Sequence, residues 1–231
     1  MDNYVLKKIT RPEQHIIEEF ERLDVSTVYE AQGKVGLMNY HLRPIIKGSL
    51  ICGPAVTVIC PAGDNLMIHA AVEVCQPGDI LVITTIGDGI SGMIGELIVT
   101  ALMKRGVKGV IIDSGIRDVA RIRELGFPIW TKAIFSQGNT KVKGGSVNAP
   151  AVCGGVTVYP GDIIKADDDG VVVVRKEDTQ FAIETSKKRM LKEEGTKEKI
   201  ENGEISIDFY NLRPVLESQN VHYYENEEAM P

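Results

Sequence analysis

Between residues 54 and 132, short apolar runs alternate with segments of helical period, and few folds accept that alternation. Val56, Val58 and Cys60 interleave with Thr57 and Ile59 in a strand at about 54–60. Gly63-Asp64-Asn65 opens a helix that runs to about Cys75. The turn Pro77-Gly78-Asp79 leads into a strand at 80–85, since Pro pre-sets its own φ and Gly supplies a positive one. The glycine-rich loop Gly87-Asp88-Gly89-Ile90-Ser91-Gly92 enters a helix at about 94–105. A strand at 109–113, a helix ending near Gly126 and a short strand at 127–132 follow. Strands alternating with helices in this way predict an α/β domain in layers.

The flanks are more helical. Ile16, Ile17, Phe20 and Leu23 share one face of a predicted helix over 12–23, with glutamates between them. Asp24 and Ser26 offer N-caps for a second helix through Thr27-Val28-Tyr29-Glu30-Ala31. Residues 136–150, rich in Gly, Asn, Lys and Ser, predict an irregular loop. The segment 151–175 predicts two or three strands around a second turn, Pro160-Gly161-Asp162, and 177–202 predicts a long charged helix before a C-terminal tail. The two Pro-Gly-Asp-Ile tetrapeptides mark similar turns and are too short to indicate a duplication. At 231 residues the length admits one large domain or two small ones. No break in composition divides the chain, so a single domain over 1–231 is expected. The terminal helices carry apolar faces that one protomer need not cover, which points to oligomerisation.

Composition narrows the function classes. With 26 basic against 32 acidic residues the net charge is −6, and no nucleic-acid partner is expected, because such binders usually present a basic face. The longest apolar stretches, such as 80–86 and 171–174, fall far short of the roughly 20 residues that cross a bilayer, so no membrane partner is expected. The start Met1-Asp2-Asn3-Tyr4-Val5-Leu6-Lys7-Lys8 has no apolar run followed by a small-residue cleavage site, and a cytoplasmic location is expected. Cys52, Cys60, Cys75 and Cys153 contain no CxxC pair and read as buried free thiols.

Chemistry concentrates between Gly95 and Asp118. A helix of about ten residues travels about 15 Å, and a returning strand of five or six residues about 17–20 Å. The two paths nearly cancel, which brings Gly95-Glu96 and Arg117-Asp118 to the same edge of a parallel pair, beyond the strand C-termini, where open α/β sheets bind ligands. The backbone N–H groups of Gly95, Glu96, Leu97 and Ile98 would face that edge from a helix N-terminus, suited to a carboxylate or phosphate. Gly95 carries no side chain to block close approach. Arg117 suits a carboxylate or an enolate oxygen, and Asp118, a hard oxygen ligand, suits Mg²⁺ or Mn²⁺. Pattern alone leaves an alternative open: Asp118 caps its own helix and Arg117 makes a surface ion pair.

A resemblance adds to this reading. Gly63-Asp64-Asn65, Gly95-Glu96-Leu97, Arg105-Gly106-Val107-Lys108-Gly109 and Asp113-Ser114-Gly115-Ile116-Arg117-Asp118 resemble the metal-dependent (class II) 4-hydroxy-4-methyl-2-oxoglutarate / 4-carboxy-4-hydroxy-2-oxoadipate aldolases. So do Gly145-Ser146-Val147-Asn148, Pro160-Gly161-Asp162, Ala166-Asp167-Asp168-Asp169-Gly170-Val171 and the tail Gly203-Glu204-Ile205-Ser206-Ile207-Asp208. These enzymes share a fold with the regulator-of-ribonuclease-activity-A-like proteins. The similarity covers nearly the whole chain.

The resemblance implies a swivelling β/β/α-type domain with a central mixed sheet and helical N- and C-terminal extensions, assembled as a trimer or hexamer. The family's signature, an acidic residue, twenty residues and then Arg-Asp, falls on Glu96 and Arg117-Asp118, with Glu96 where many members have Asp. By resemblance Asp118 binds Mg²⁺ or Mn²⁺, while Arg117 and the backbone of Gly95, Glu96, Leu97 and Ile98 hold the pyruvyl half of a small 2-oxo acid. Sites of the family lie between subunits, which implies contributions from Glu30 and from Glu193 or Glu194 of neighbouring copies, with 177–231 packing on a neighbour. The implied activity is retro-aldol cleavage with oxaloacetate decarboxylation beside it, a metal-activated or Glu96-oriented water taking the C4 hydroxyl proton. A dedicated oxaloacetate decarboxylase and an inhibitor of a ribonuclease remain the alternatives.

Other signals carry less. Asp167-Asp168-Asp169-Gly170 lacks the spaced ligands of a calcium loop and reads as a tight turn. Gly87-x-Gly89-x-x-Gly92 matches a dinucleotide fingerprint only superficially, although Asp113 lies near the distance of its acidic partner. His15, His41, His69 and His222 have no metal spacing, and His69 reads as a structural histidine. The Lys/Glu-rich run 187–201 reads as a solvated helical face, and Trp130 as core.

Overall fold

The computed structural model describes residues 3–87 and 89–226. Met1 and Asp2 of the N-terminal start and Asp88 of the glycine-rich loop therefore lie outside the described residues. The chain divides into two compact units, Met1–Ser186 and Lys187–Pro231.

The first unit opens with strand β1 (Tyr4–Val5) and helices α1 (Gln14–Glu21) and α2 (Val25–Ala31). Ile17, Phe20, Leu23, Val25 and Val28 are buried against Cys52, Ile163, Val172 and Val174, so the apolar face of the predicted N-terminal helix covers the sheet layer. Asp24 stands at the N-cap of α2 without a side-chain cap bond. The Val25 N–H instead donates to Asp167 Oδ2 at 2.9 Å, so a remote turn caps this helix.

Strand β2 (Arg43–Pro44) precedes β3 (Ile51–Pro61), helix α3 (Leu66–Val74), strands β4 (Ile80–Ile86) and β5 (Gly92–Ile94), and helix α4 (Glu96–Lys104). Strand β6 (Gly109–Ile116), helix α5 (Val119–Glu124) and strand β7 (Ile129–Ile134) complete the predicted alternation. β3, β4, β6 and β7 run parallel and side by side. One face of these strands, with Val58, Leu81, Ile83, Val110 and Ile112, is buried under Ile68, Ala71, Val99, Leu102 and Ile122 of α3, α4 and α5. Continuously apolar strands are what burial on both faces demands.

β8 (Ser146–Val147) extends this sheet beside β3, and the other face is covered by β9 (Ala151–Cys153), β10 (Val156–Val158), β11 (Ile163–Ala166) and β12 (Val171–Val174). Ala55, Ile80, Val82, Ile111 and Trp130 pack there with Cys153, Ile164, Val171 and Val173. Both β8 and β11 pair antiparallel with β3, which makes the central sheet mixed. The pairing with β11 also explains why β3 begins at Ile51, ahead of the predicted 54. Residues 167–170 form the turn between β11 and β12, as their composition indicates.

Both Pro-Gly-Asp turns use the same chemistry. The buried Asp79 carboxylate accepts the Gln76 N–H at 2.7 Å and both arms of Arg11 at 2.7 and 2.8 Å. Asp162 accepts the Tyr159 N–H at 2.9 Å and faces Arg175 at 3.3 Å. In each case the carboxylate reaches back three residues and a guanidinium balances its charge. All four cysteines are free and buried, and burial pushes the thiols of Cys52, Cys60 and Cys75 up to about 12. Trp130 is fully buried, with its indole N–H on the Asp167 carbonyl at 2.8 Å.

Helix α6 (Thr179–Glu201) contains the unit boundary. It buries Thr179, Ala182, Ile183 and Ser186, and no residue of α6 after Ser186 is buried. In the second unit its surface carries the pairs Arg189–Glu193 and Lys197–Glu201 at i,i+4 spacing. Helices α7 (Ser206–Phe209) and α8 (Arg213–Ser218) follow and bury no residue. Among the described residues no helix is long and apolar enough to cross a membrane.

Candidate active site

Strand β4 delivers the chain through the glycine-rich loop into β5, and only then does α4 begin. β5 lies parallel to the end of β6, and the Arg117 N–H donates to the Ile94 carbonyl at 2.8 Å. This stitch holds Gly95 and Arg117-Asp118 at one sheet edge. The glycine loop feeds a strand rather than a helix N-terminus, which is not the arrangement of a dinucleotide fingerprint.

Gly95 is the N-cap of α4 in an extended conformation, so close approach and not φ explains the glycine. A Cβ there would collide with Asp118 Oδ2 and crowd the Arg117 side chain, whose Nε lies 3.2 Å from that position. Asp118 stands at the N-cap of α5 with φ 59, in the left-handed region that few non-glycine residues adopt. That conformation turns its carboxylate away from its own helix, where it makes no cap bond. Oδ2 instead accepts the Glu96 N–H at 3.2 Å, in the first turn of α4. The self-capping alternative therefore fails: Asp118 serves the neighbouring helix. Arg117 Nε lies 3.8 Å from Asp118 Oδ2, with both side chains half-exposed.

Gly95, Leu97, Ile98, Arg117 and Asp118 line one cavity of about 130 Å³. Glu96 enters this geometry through its backbone N–H. Glu30 lies in α2, paired with Lys34 at 3.6 Å, and is not among the described residues that line this cavity; Glu193 and Glu194 belong to the second unit. Among the described residues no group of three His, Cys, Asp or Glu side chains is arranged to hold a metal. Asp118 Oδ1 has no partner within the described chain.

Asn65, His69 and Lys141 also line the cavity, and sequence reasoning missed all three. Asn65 and His69 lie four residues apart at the start of α3, on one face. The packed face of α3 carries Met67, Ile68, Ala71 and Val74, which leaves His69 on the open side rather than in the structural role expected of it. Partial burial, and then the charge of Lys141, hold its imidazole below the usual value. Lys141 is placed by Asp64. The fully buried Asp64 carboxylate accepts the Thr140 hydroxyl at 2.6 Å and the Val142, Leu66 and Lys143 N–H groups at 2.8, 3.0 and 3.1 Å. Burial alone would raise its pKa, but these bonds outweigh it and bring the group down to about 2.

The same architecture recurs in solved proteins. Streptomyces coelicolor RraAS2, described as an unusual member of the RNase ES inhibitor RraA protein family, superposes with a TM-score of 0.73 at 28% identity, over 82% of this chain and 99% of that one. The RNA-processing inhibitor RraA of Thermus thermophilis shares the fold at a TM-score of 0.58 and 20% identity, over 64% of this chain and 90% of its own. The chain belongs to the RraA-like family, whose sequence model, described as Aldolase/RraA, matches residues 24–173. A protein of Halalkalibacterium halodurans, provisionally named a 4-hydroxy-4-methyl-2-oxoglutarate aldolase, is 28% identical over 202 residues, 87% of this chain and 96% of its own length.

Proposed function

We propose that this protein is a divalent-metal-dependent lyase that cleaves 4-hydroxy-2-oxo acids by retro-aldol chemistry. The substrates are 4-hydroxy-4-methyl-2-oxoglutarate, giving two pyruvates, and 4-carboxy-4-hydroxy-2-oxoadipate, giving oxaloacetate and pyruvate. Oxaloacetate decarboxylation accompanies them. The observation that carries this reading is the convergence of Gly95, Arg117, Asp118 and Lys141 on one cavity.

A Mg²⁺ or Mn²⁺ ion fits the donor set. Asp118 offers a half-exposed hard oxygen beside a cradle that any Cβ at position 95 would fill, and Mg²⁺ is commonly held by one or two carboxylates with waters completing its shell. When bound, the ion supplies Lewis-acid polarisation of the 2-oxo group.

The chain's own residues do the rest. The N–H groups at the start of α4 and the guanidinium of Arg117 bind the pyruvyl carboxylate and 2-oxo oxygen. Glu96 orients a water that takes the C4 hydroxyl proton. As that proton leaves, the C3–C4 bond breaks and its electron pair passes to the 2-oxo oxygen. Arg117 stabilises the resulting enolate with a fixed positive charge, and protonation at C3 releases pyruvate. Lys141 receives the second carboxylate, and His69, neutral at neutral pH, hydrogen-bonds the ligand. Glu30 and Glu193 or Glu194 of neighbouring copies complete the site in a trimer or hexamer. Stripped of metal and re-metallated, Asp118→Ala should lose metal-dependent turnover; near wild-type turnover would refute the site.

A second reading, inhibition of a ribonuclease, is favoured by the 28% identity to RraAS2. It predicts slowed RNA cleavage when the protein is added to a ribonuclease E-type enzyme, with no lyase turnover.

A further inference from the structure

A second cavity, of about 410 Å³, opens at the sheet edge and is lined, among the described residues, by Thr84, Thr85, Gly87, Gly89, Asp113, Lys132 and Val152. It lies on the face opposite α3, α4 and α5. Ile80, Val82, Ile111 and Trp130 belong to the cluster under β9 and β11, and side chains alternate along a strand, so Thr84, Asp113 and Lys132 continue that face. The register pairs Ile83 with Ile112 and Ile112 with Thr131 and then shifts between Ile112 and Gly115, and the three residues meet on the cavity wall where the parallel strands end. The volume falls within the range of about 300–1,000 Å³ usual for small-molecule sites.

We infer that this cavity binds a small zwitterion, an α-amino acid, through the juxtaposed Lys132 ammonium and Asp113 carboxylate. Lys132 Nζ lies 3.6 Å from Asp113 Oδ1, longer than a hydrogen bond. Asp113 Oδ2 is anchored by the Gly154 N–H at 3.0 Å, which fixes the carboxylate and leaves Oδ1 toward the ammonium. A partly exposed pair of this kind contributes little by itself, so a ligand can insert into it at little cost. The hydroxyls of Thr84 and Thr85 have no partner among the described residues, and each can donate and accept.

Opposite charges at this spacing match the carboxylate and ammonium borne on one α-carbon. Among the described lining residues one cation faces one anion, and that pairing selects the class. A bare anion such as phosphate or a 2-oxo acid would bring its charge against Asp113, and a bare cation would meet Lys132. The inference is independent of the lyase reading, since none of these residues lines the cavity of Arg117 and Asp118.

The test is calorimetric titration of the full-length protein with the proteinogenic amino acids, alongside phosphate, pyruvate and putrescine. At least one amino acid should bind saturably. Its N-acetyl and methyl-ester derivatives should bind about tenfold weaker or worse, the loss expected for one charge-assisted bond. Asp113→Asn and Lys132→Gln should each weaken binding similarly while keeping the wild-type thermal midpoint, and Arg117→Ala should leave it unchanged. Absence of binding by every amino acid would overturn the inference. So would equal binding of the N-acetyl derivative, equal binding of phosphate or pyruvate, or retention of affinity in both variants.

Discussion

Gly95 and Asp118 depend on each other at the scale of single atoms. Because a Cβ at 95 would meet Asp118 Oδ2, Gly95→Ala should displace both the carboxylate and Arg117. The expected result is a fall in kcat/KM of about 100-fold, the cost of misplacing catalytic groups by about 1 Å, with an unchanged circular dichroism spectrum. Lys141 acts differently. Lys141→Gln removes one of the two causes that hold His69 below its ordinary value, so the imidazole should titrate at higher pH than in the wild type. An NMR titration of His69 reads this directly, and an unmoved midpoint would contradict the assignment. Gly95, Arg117 and Asp118 were legible in the sequence because each sits where a strand or helix of countable length begins or ends. Asn65, His69 and Lys141 were not, because their meeting depends on a bridge between Asp64 and Thr140 that no local period encodes.

At the scale of elements, the loop over 136–150 is held by one side chain. Asp64 binds the backbone of residues 142 and 143 and the hydroxyl of residue 140, so Lys141 is positioned by a buried carboxylate. Asp64→Asn should cost about 3 kcal/mol, the scale of a charge-assisted bond lost with its buried donors left unpaired. Thermal denaturation measures the loss, and KM for the 4-hydroxy-2-oxo acid should rise with it. The acid dependence follows from the same group. Its folded pKa, about 2, is depressed from 3.8, so its stabilisation is present above the ordinary value and lost as pH falls toward 2. The asparagine variant should show a flatter decline in stability across that window. Strands β5 and β8, of three and two residues, escaped sequence reading because so few positions carry no detectable alternation. Both matter: β5 separates the glycine loop from α4, and β8 gives order to a segment whose composition reads as loop.

At the scale of the whole molecule, the parallel core follows from alternating apolar runs and helices, and that much the amino-acid order declares. The clamp on the N-terminal segment is less visible, since Arg11 and Asp79 lie 68 residues apart. Arg11→Met would leave Asp79 buried without its cation and should destabilise the fold by about 3 kcal/mol, read from the denaturant midpoint. The end of α6 is charged and unburied, a pattern as compatible with solvent as with a neighbouring copy, and so the sequence is silent on how the second unit is used. The central claim concerns the chemistry at the sheet edge. The most direct measurement is pyruvate release from 4-hydroxy-4-methyl-2-oxoglutarate in a coupled dehydrogenase assay, with Mg²⁺, with Mn²⁺ and with EDTA, and with oxaloacetate in parallel. Metal-dependent turnover of the hydroxy acid, abolished by EDTA, is the predicted result. Turnover of oxaloacetate alone, or silence on both substrates, would contradict it.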